Sequence, residues 1–195
     1  MQAVVATDFP LPSFLERMPL ARAALEYARE LHRDQRRESD AAPFILHPLE
    51  VGALLHNTGH GESVVAAGIL HDSVEDTGAE AGDVAARFGP EVARLVQALT
   101  EDPAIEPYEE RKAALRRQVA GAGEEAAAVY AADKVAKVRE LRAQAKGERG
   151  LIEGGRRLDH YVASLATLEG LIPDEPLVRQ LRFELEMLRA LPPGE

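Results

Sequence analysis

From Leu20 onward, apolar residues recur at steps of three and four, and no stretch shows convincing residue-by-residue alternation. Leu20, Ala24, Tyr27, Ala28 and Leu31 would line one face of a helix, and Val92, Leu95, Val96 and Leu99 would line another. Near the end, Leu181, Leu185 and Leu188 keep the same register. Aromatic residues make up 5% of the chain and Trp is absent, so aliphatic side chains and Ala must do most of the packing. These features predict an all-α fold of seven or eight helices. The chain's 195 residues suit one domain over 20–195, preceded by an irregular arm over 1–19 that carries Pro10, Pro12 and Pro19.

Punctuation places the helices. The first runs from Leu20, and a loop follows over residues 36–44. The second opens at His47–Pro48, where Pro is tolerated in the first turn. The third is expected from Ser63 to Thr77–Gly78. Pro90 starts another, and Pro107 begins the next, with acids early and basic residues later as the helix dipole favours. The Gly121–Gly123 stretch separates that helix from one over Glu124 to about Ala145. Two more are expected over Arg156–Leu171 and Leu177–Leu191.

Several classes of function are disfavoured by composition. Without Cys there is neither a disulfide, a thiolate metal site nor a Cys nucleophile. A net charge of −10 argues against binding a nucleic-acid polymer, which needs a basic footprint. No apolar run approaches the ~18 residues that span a bilayer, and the N-terminus lacks the pattern of a signal peptide. A soluble, cytoplasmic protein is expected, with no membrane partner.

The segment "ILHDSVEDTG", residues 69–78, ends an apolar run in one histidine and three acids. On a continuous helix His71, Asp72, Glu75 and Asp76 would fall within an arc of roughly 140°. Three crowded carboxylates resist burial without a cation. The stretch alone fits a solvated acidic helix end equally well. Two further residues tilt the balance: His47 in "FILHPLEV" and Asp133 in the apolar "AVYAADKVAKV". A salt bridge to Lys134 or Lys137 would also account for Asp133. Yet His47, His71, Asp72 and Asp133 together make an N/O ligand set for one divalent ion.

The order H…HD…D resembles the HD superfamily of metal-dependent phosphohydrolases. More narrowly it resembles the hydrolase domain of RelA/SpoT enzymes and their small single-domain relatives, metazoan SpoT homologues included. The blocks that carry the resemblance are "AALEYARELHRDQRR", "PFILHPLEV", "VVAAGILHDSVEDT", "RFGPEVARLVQALTED" and "YAADKVAKVREL", over about residues 20–165. It implies that His47, His71, Asp72 and Asp133 hold Mn²⁺, and that Glu75 and Asp76 orient and deprotonate the attacking water. It implies hydrolysis of the 3′-diphosphate of guanosine 3′,5′-bis(diphosphate) or its pentaphosphate; a synthetase domain is not expected alongside, because the remaining chain is too short for one. Arg36, Arg37 and Arg157 match residues near the nucleotide, and Lys134 and Lys137 are further candidates for the phosphates. Lys137 stands where the family usually has Asn, Glu38 where it often has Lys, and Phe44 where Tyr is frequent. These departures leave open another nucleotide substrate, such as the 2′-phosphate of NADPH or an adenosine analogue, or a non-catalytic nucleotide sensor. The partner implied is a small phosphorylated nucleotide, with a homodimer left open.

Other residues have two readings each. His32 could touch the ligand base or pack on a helix surface beside Tyr27 and Ala28. His56 and His60 suggest solvent exposure, and His160 a structural or exposed site. Thr100–Glu101–Asp102 fits either a pocket-lining turn or a plain turn before Pro103. The segment 147–157, with Arg149, Arg156 and Arg157, reads as a solvated loop or as a mobile cover for phosphates.

Overall fold

The computed structural model describes residues 11–144 and 150–190, with side chains over 11–143 and 157–190. Among the described residues it holds ten α-helices and a short 3-10 turn at Ser13–Arg17, and no strand beyond one isolated bridge between Arg36 and Pro43. The all-α expectation holds. The chain divides into two compact units, residues 1–97 and 98–195. No helix among the described residues is long and apolar enough to cross a membrane.

The first unit contains α1 (Pro19–Leu31), α2 (Leu46–Asn57), α3 (Glu62–Leu70), α4 (Ser73–Asp76) and α5 (Ala81–Phe88). Helix α6 (Pro90–Leu99) runs through the division between the units. Helix α3 packs against both α1 and α2, and its residues Val64–Leu70 are all buried, so it is the central element of this unit. The Glu62 side chain accepts a hydrogen bond from the Leu20 amide at 2.5 Å and so ties the start of α3 to the start of α1. Two glycines let α2 and α3 approach closely. A Cβ on Gly52 would lie 2.6 Å from Ile69 Cγ1, and one on Gly68 would strike Leu55 Cδ1.

That crossing sets the separation between the segments that carry His47 and His71. Gly68→Val is therefore expected to lower stability by about 2 kcal/mol through overpacking. The small gain in helix propensity does not rescue it. Urea unfolding should show an earlier midpoint with an unchanged slope.

Two expectations need correction here. The helix predicted over Ser63 to Thr77–Gly78 is interrupted. It ends at Leu70, His71 and Asp72 form a turn, and α4 restarts at Ser73. Asp72 adopts φ −88° and ψ −6°, the bridge region between helix and extended backbone. Helix α5 escaped the sequence pattern altogether. It is short, but Val84 and Phe88 are buried on one face, and Glu80 and Asp83 cap each other's backbone at its start.

The second unit contains α7 (Tyr108–Ala122), α8 (Glu124–Gln144), α9 (Gly150–Leu171) and α10 (Pro176–Ala190). Helix α8 packs against the other three. It is apolar nearly all round, with Ala126–Ala132, Val135, Ala136 and Val138 buried, as a central helix must be. Gly123, at φ +96°, makes the break between α7 and α8. On α10, the buried Glu184 accepts from Arg139 Nε at 2.8 Å and lies 2.9 Å from Arg142 Nη1, which clamps α8 to α10. Helix α9 starts at Gly150 instead of Arg156. Of the segment suggested as a cover, Arg149 lies outside the described residues, as does the side chain of Arg156.

Candidate functional site

In the first unit, His47 enters on the first turn of α2, and the turn after α3 supplies His71 and Asp72. All three are buried. Their polar atoms converge: His47 Nε2 lies 3.3 Å from His71 Nε2 and 3.4 Å from Asp72 Oδ2, and His71 Nε2 lies 3.1 Å from Asp72 Oδ1. Ligands bonded to one ion at about 2.1 Å stand about 3.0–3.4 Å apart in tetrahedral or octahedral geometry. The observed spacing matches that range.

Proton bookkeeping points the same way. His71 Nδ1 faces the Gly68 carbonyl at 2.8 Å. A carbonyl only accepts, so Nδ1 carries the hydrogen and the neutral ring presents a lone pair from Nε2. That lone pair faces a carboxylate and a second imidazole. With the hydrogen of His47 on Nδ1, all three groups are acceptors and call for a cation, and a backbone carbonyl that fixes the His71 tautomer is the usual support of a metal-ligating histidine. The residues fit a divalent ion.

Glu75 and Asp76, on α4, are exposed, unlike the buried pair immediately before them. The interrupted helix thus sorts the four polar residues into two environments. The Asp76 amide donates to the Asp72 carbonyl at 2.9 Å. Gln35 Nε2 donates to the Asp76 carbonyl at 2.8 Å, and Gln35 Oε1 lies 2.6 Å from His32 Nδ1. His32 is 2% exposed, which corrects its reading as a helix-surface residue. Its burial lowers its pKa despite the hydrogen bond to Gln35. Its ring lies 4.8 Å from Phe44, which neighbours His47 at 5.9 Å. Arg36 is exposed, whereas Arg37 pairs with Asp40. His56 stacks on Phe14 at 4.6 Å.

The second unit presents Asp133 from the middle of α8. Its carboxylate is 2.6 Å from Lys134 Nζ and 3.3 Å from Lys137 Nζ, so both salt bridges that the sequence offered are present. Lys134 is 3% exposed and lies 4.4 Å from the centre of the Tyr130 ring. Burial opposes its charge, but the Asp133 carboxylate outweighs burial and its pKa is raised. Glu101 follows α6 and receives both Arg111 Nε, at 2.8 Å, and Lys112. Burial alone would raise its pKa; these cations bring it below the usual carboxylate value. Arg157 is exposed on α9.

His160 is buried, and its Nδ1 accepts from Arg116 Nη1 at 2.9 Å. Burial first, then Lys134, Lys112 and Arg116, push its pKa down to about 2. Between that value and the ordinary 6.5, the unfolded chain binds a proton that the folded chain refuses, so stability falls as pH drops below 6.5. At pH 5 this contribution is about 2 kcal/mol. His160→Gln should therefore flatten the loss of urea stability between pH 7 and pH 5 by about that amount.

Sequence reasoning did not single out Gln35, Gly52, Gly68 or Glu184. Each acts through a partner at least thirteen positions away, which no local pattern reveals.

Comparison with known proteins agrees with this chemistry. The human guanosine-3′,5′-bis(diphosphate) 3′-pyrophosphohydrolase MESH1 is 38% identical over 121 residues, covering 60% of this chain and 67% of that protein. The GTP pyrophosphokinase rsh of Brucella melitensis is 42% identical over 82 residues, which are 42% of this chain and only 11% of that protein. Among solved structures, a metazoan ortholog of SpoT that hydrolyses ppGpp aligns with a TM-score of 0.75 and 29% identity, covering 94% of this chain and 100% of that one. A family model described as HD domain matches residues 24–155. With that match running over well more than half of its length, the chain belongs to the HD domain family.

Proposed function

We propose that the chain is a metal-dependent phosphohydrolase acting on guanosine 3′,5′-bis(diphosphate) or pentaphosphate, releasing pyrophosphate and leaving GDP or GTP. The observation that carries this reading is the buried convergence of His47 Nε2, His71 Nε2 and Asp72 at 3.1–3.4 Å, with the His71 tautomer fixed by Gly68. Its likeness to MESH1 and to the metazoan SpoT ortholog supports the choice of substrate. We assign Asp133 as the fourth ligand, and Mn²⁺ as the ion. The family match spans both units and so includes His47, His71, Asp72 and Asp133, which supports one hydrolase domain over 20–195.

A divalent ion on these ligands supplies Lewis acidity toward a phosphoryl oxygen. The chain's own residues do the rest. Glu75 or Asp76, exposed one turn beyond the buried ligands, accepts the proton of the attacking water. The water oxygen bonds to the phosphorus attached to the 3′ oxygen, the bond from that phosphorus to the 3′ oxygen breaks, and the proton taken up by the carboxylate is returned to the 3′ oxygen as the hydroxyl leaves. Arg36, Arg37, Arg157 and Lys137 offset the phosphate charge, the arginines with paired donors. Lys134, buried against Asp133, contributes charge without contact. Lys137, at the family's usual Asn position, adjusts preference among nucleotides. The proposed location is the cytoplasm, and a second copy of the chain is a partner to test by sedimentation.

The test is a nucleotide panel with purified protein and Mn²⁺, repeated with chelator. Pyrophosphate should come from 3′-diphosphorylated guanosine nucleotides and vanish with chelator. Phosphate release from NADPH alone would reassign the substrate. Metal-dependent binding without turnover would make the chain a sensor.

A further inference from the structure

We propose that His32 and Gln35 form a positioning relay that fixes the backbone of Asp76, and with it the short helix bearing the two acids. The inference rests on the hydrolase reading for its kinetic consequence, though not for its structural one.

The donor assignments follow from one fixed point. The Asp76 carbonyl can only accept, so the Gln35 group 2.8 Å from it is the amide nitrogen. Gln35 Oε1 therefore faces His32, and His32 Nδ1 carries the hydrogen of the 2.6 Å contact. Each member is itself held. The Gln35 amide donates to the His32 carbonyl at 3.0 Å, and its carbonyl accepts from the Phe44 amide at 3.1 Å. The Phe44 carbonyl in turn accepts from the His47 amide at 2.9 Å. The His32 ring is buried and lies against Phe44 at 4.8 Å.

Helix α4 has four residues, with Ser73 buried at its start and the two acids exposed at its end. At its start the Asp76 amide bonds the Asp72 carbonyl, and at its end Thr77 Oγ1 donates to the Ser73 carbonyl at 2.5 Å. Both contacts are local. Gln35 adds a tie to a distant part of the chain, 41 residues away. Since the Gln35 backbone carbonyl also anchors the loop leading to His47, one residue ties α4 to the segment that enters α2. A misplacement of about 1 Å can cost about 100-fold in rate, so a four-residue helix whose exposed end carries a proton acceptor gains from such an anchor.

The experiment compares wild type with Gln35→Met, which keeps length and loses the donor, His32→Phe, which keeps the packing on Phe44, and His32→Asn, which restores a donor near Nδ1. Three quantities are read: steady-state kinetics, Mn²⁺ affinity, and hydrogen exchange of residues 73–78 against α8 and α10. The relay predicts that Gln35→Met and His32→Phe lower kcat about tenfold or more with KM and Mn²⁺ affinity nearly unchanged. Exchange should quicken over 73–78 alone, and His32→Asn should recover most of the loss. Wild-type exchange over 73–78 in Gln35→Met overturns the relay, and so does a loss of kcat accompanied by faster exchange throughout the chain. If wild type turns over no nucleotide, the hydrolase reading fails, and the exchange measurement still decides whether Gln35 anchors α4.

Discussion

Asp72→Asn and Asp133→Asn are each expected to lower nucleotide hydrolysis by about 1,000-fold, the several kcal/mol that a catalytic ion supplies. The two substitutions should differ in every other respect. Asp72 faces two imidazoles, and Asn keeps its shape while removing one anionic ligand. Folding should persist, and bound Mn²⁺ should fall. Asp133 has a second duty, because it neutralises the buried ammonium of Lys134 at 2.6 Å. Removing the carboxylate leaves that cation buried beside Tyr130, at a cost of about 3 kcal/mol. Asp133→Asn should thus lose both activity and urea stability, and Asp72→Asn activity alone. Kinetics, metal analysis and denaturation on the same preparations separate the two effects.

Glu75→Gln and Asp76→Asn form the second test. If one of these carboxylates accepts the proton of water, its amide lowers kcat by about 100- to 10,000-fold. Metal content should not change, because both residues are exposed and stand outside the buried ligand cluster. The residue whose substitution costs more is the acceptor, and the other orients. A parallel loss of Mn²⁺ in either variant would make that residue a ligand instead.

Much of the fold could be read from the sequence where a helix has one buried face. Helices α1, α6 and α10 announced themselves by three- and four-residue spacing, and α8 by its Ala-rich run between glycines. The pattern failed at His71–Asp72, because both residues keep backbone angles close to helical while the ladder breaks. Periodicity cannot register such a turn, yet the turn is what buries the ligands and leaves the acids in water. Helix α5 was hidden by its length and by a cap built from two acids. The candidate ligands were legible because their chemistry is costly to bury. Their supports were not: whether His32 is buried, or whether Gly68 faces Leu55, depends on which helices meet.

Anomalous diffraction from crystals grown with Mn²⁺ asks the decisive question. A single manganese peak within about 2.0–2.4 Å of His47 Nε2, His71 Nε2 and the carboxylates of Asp72 and Asp133 is the expected result. An ion seated elsewhere, or one held by the first three with the Asp133 carboxylate more than about 5 Å away, would contradict it.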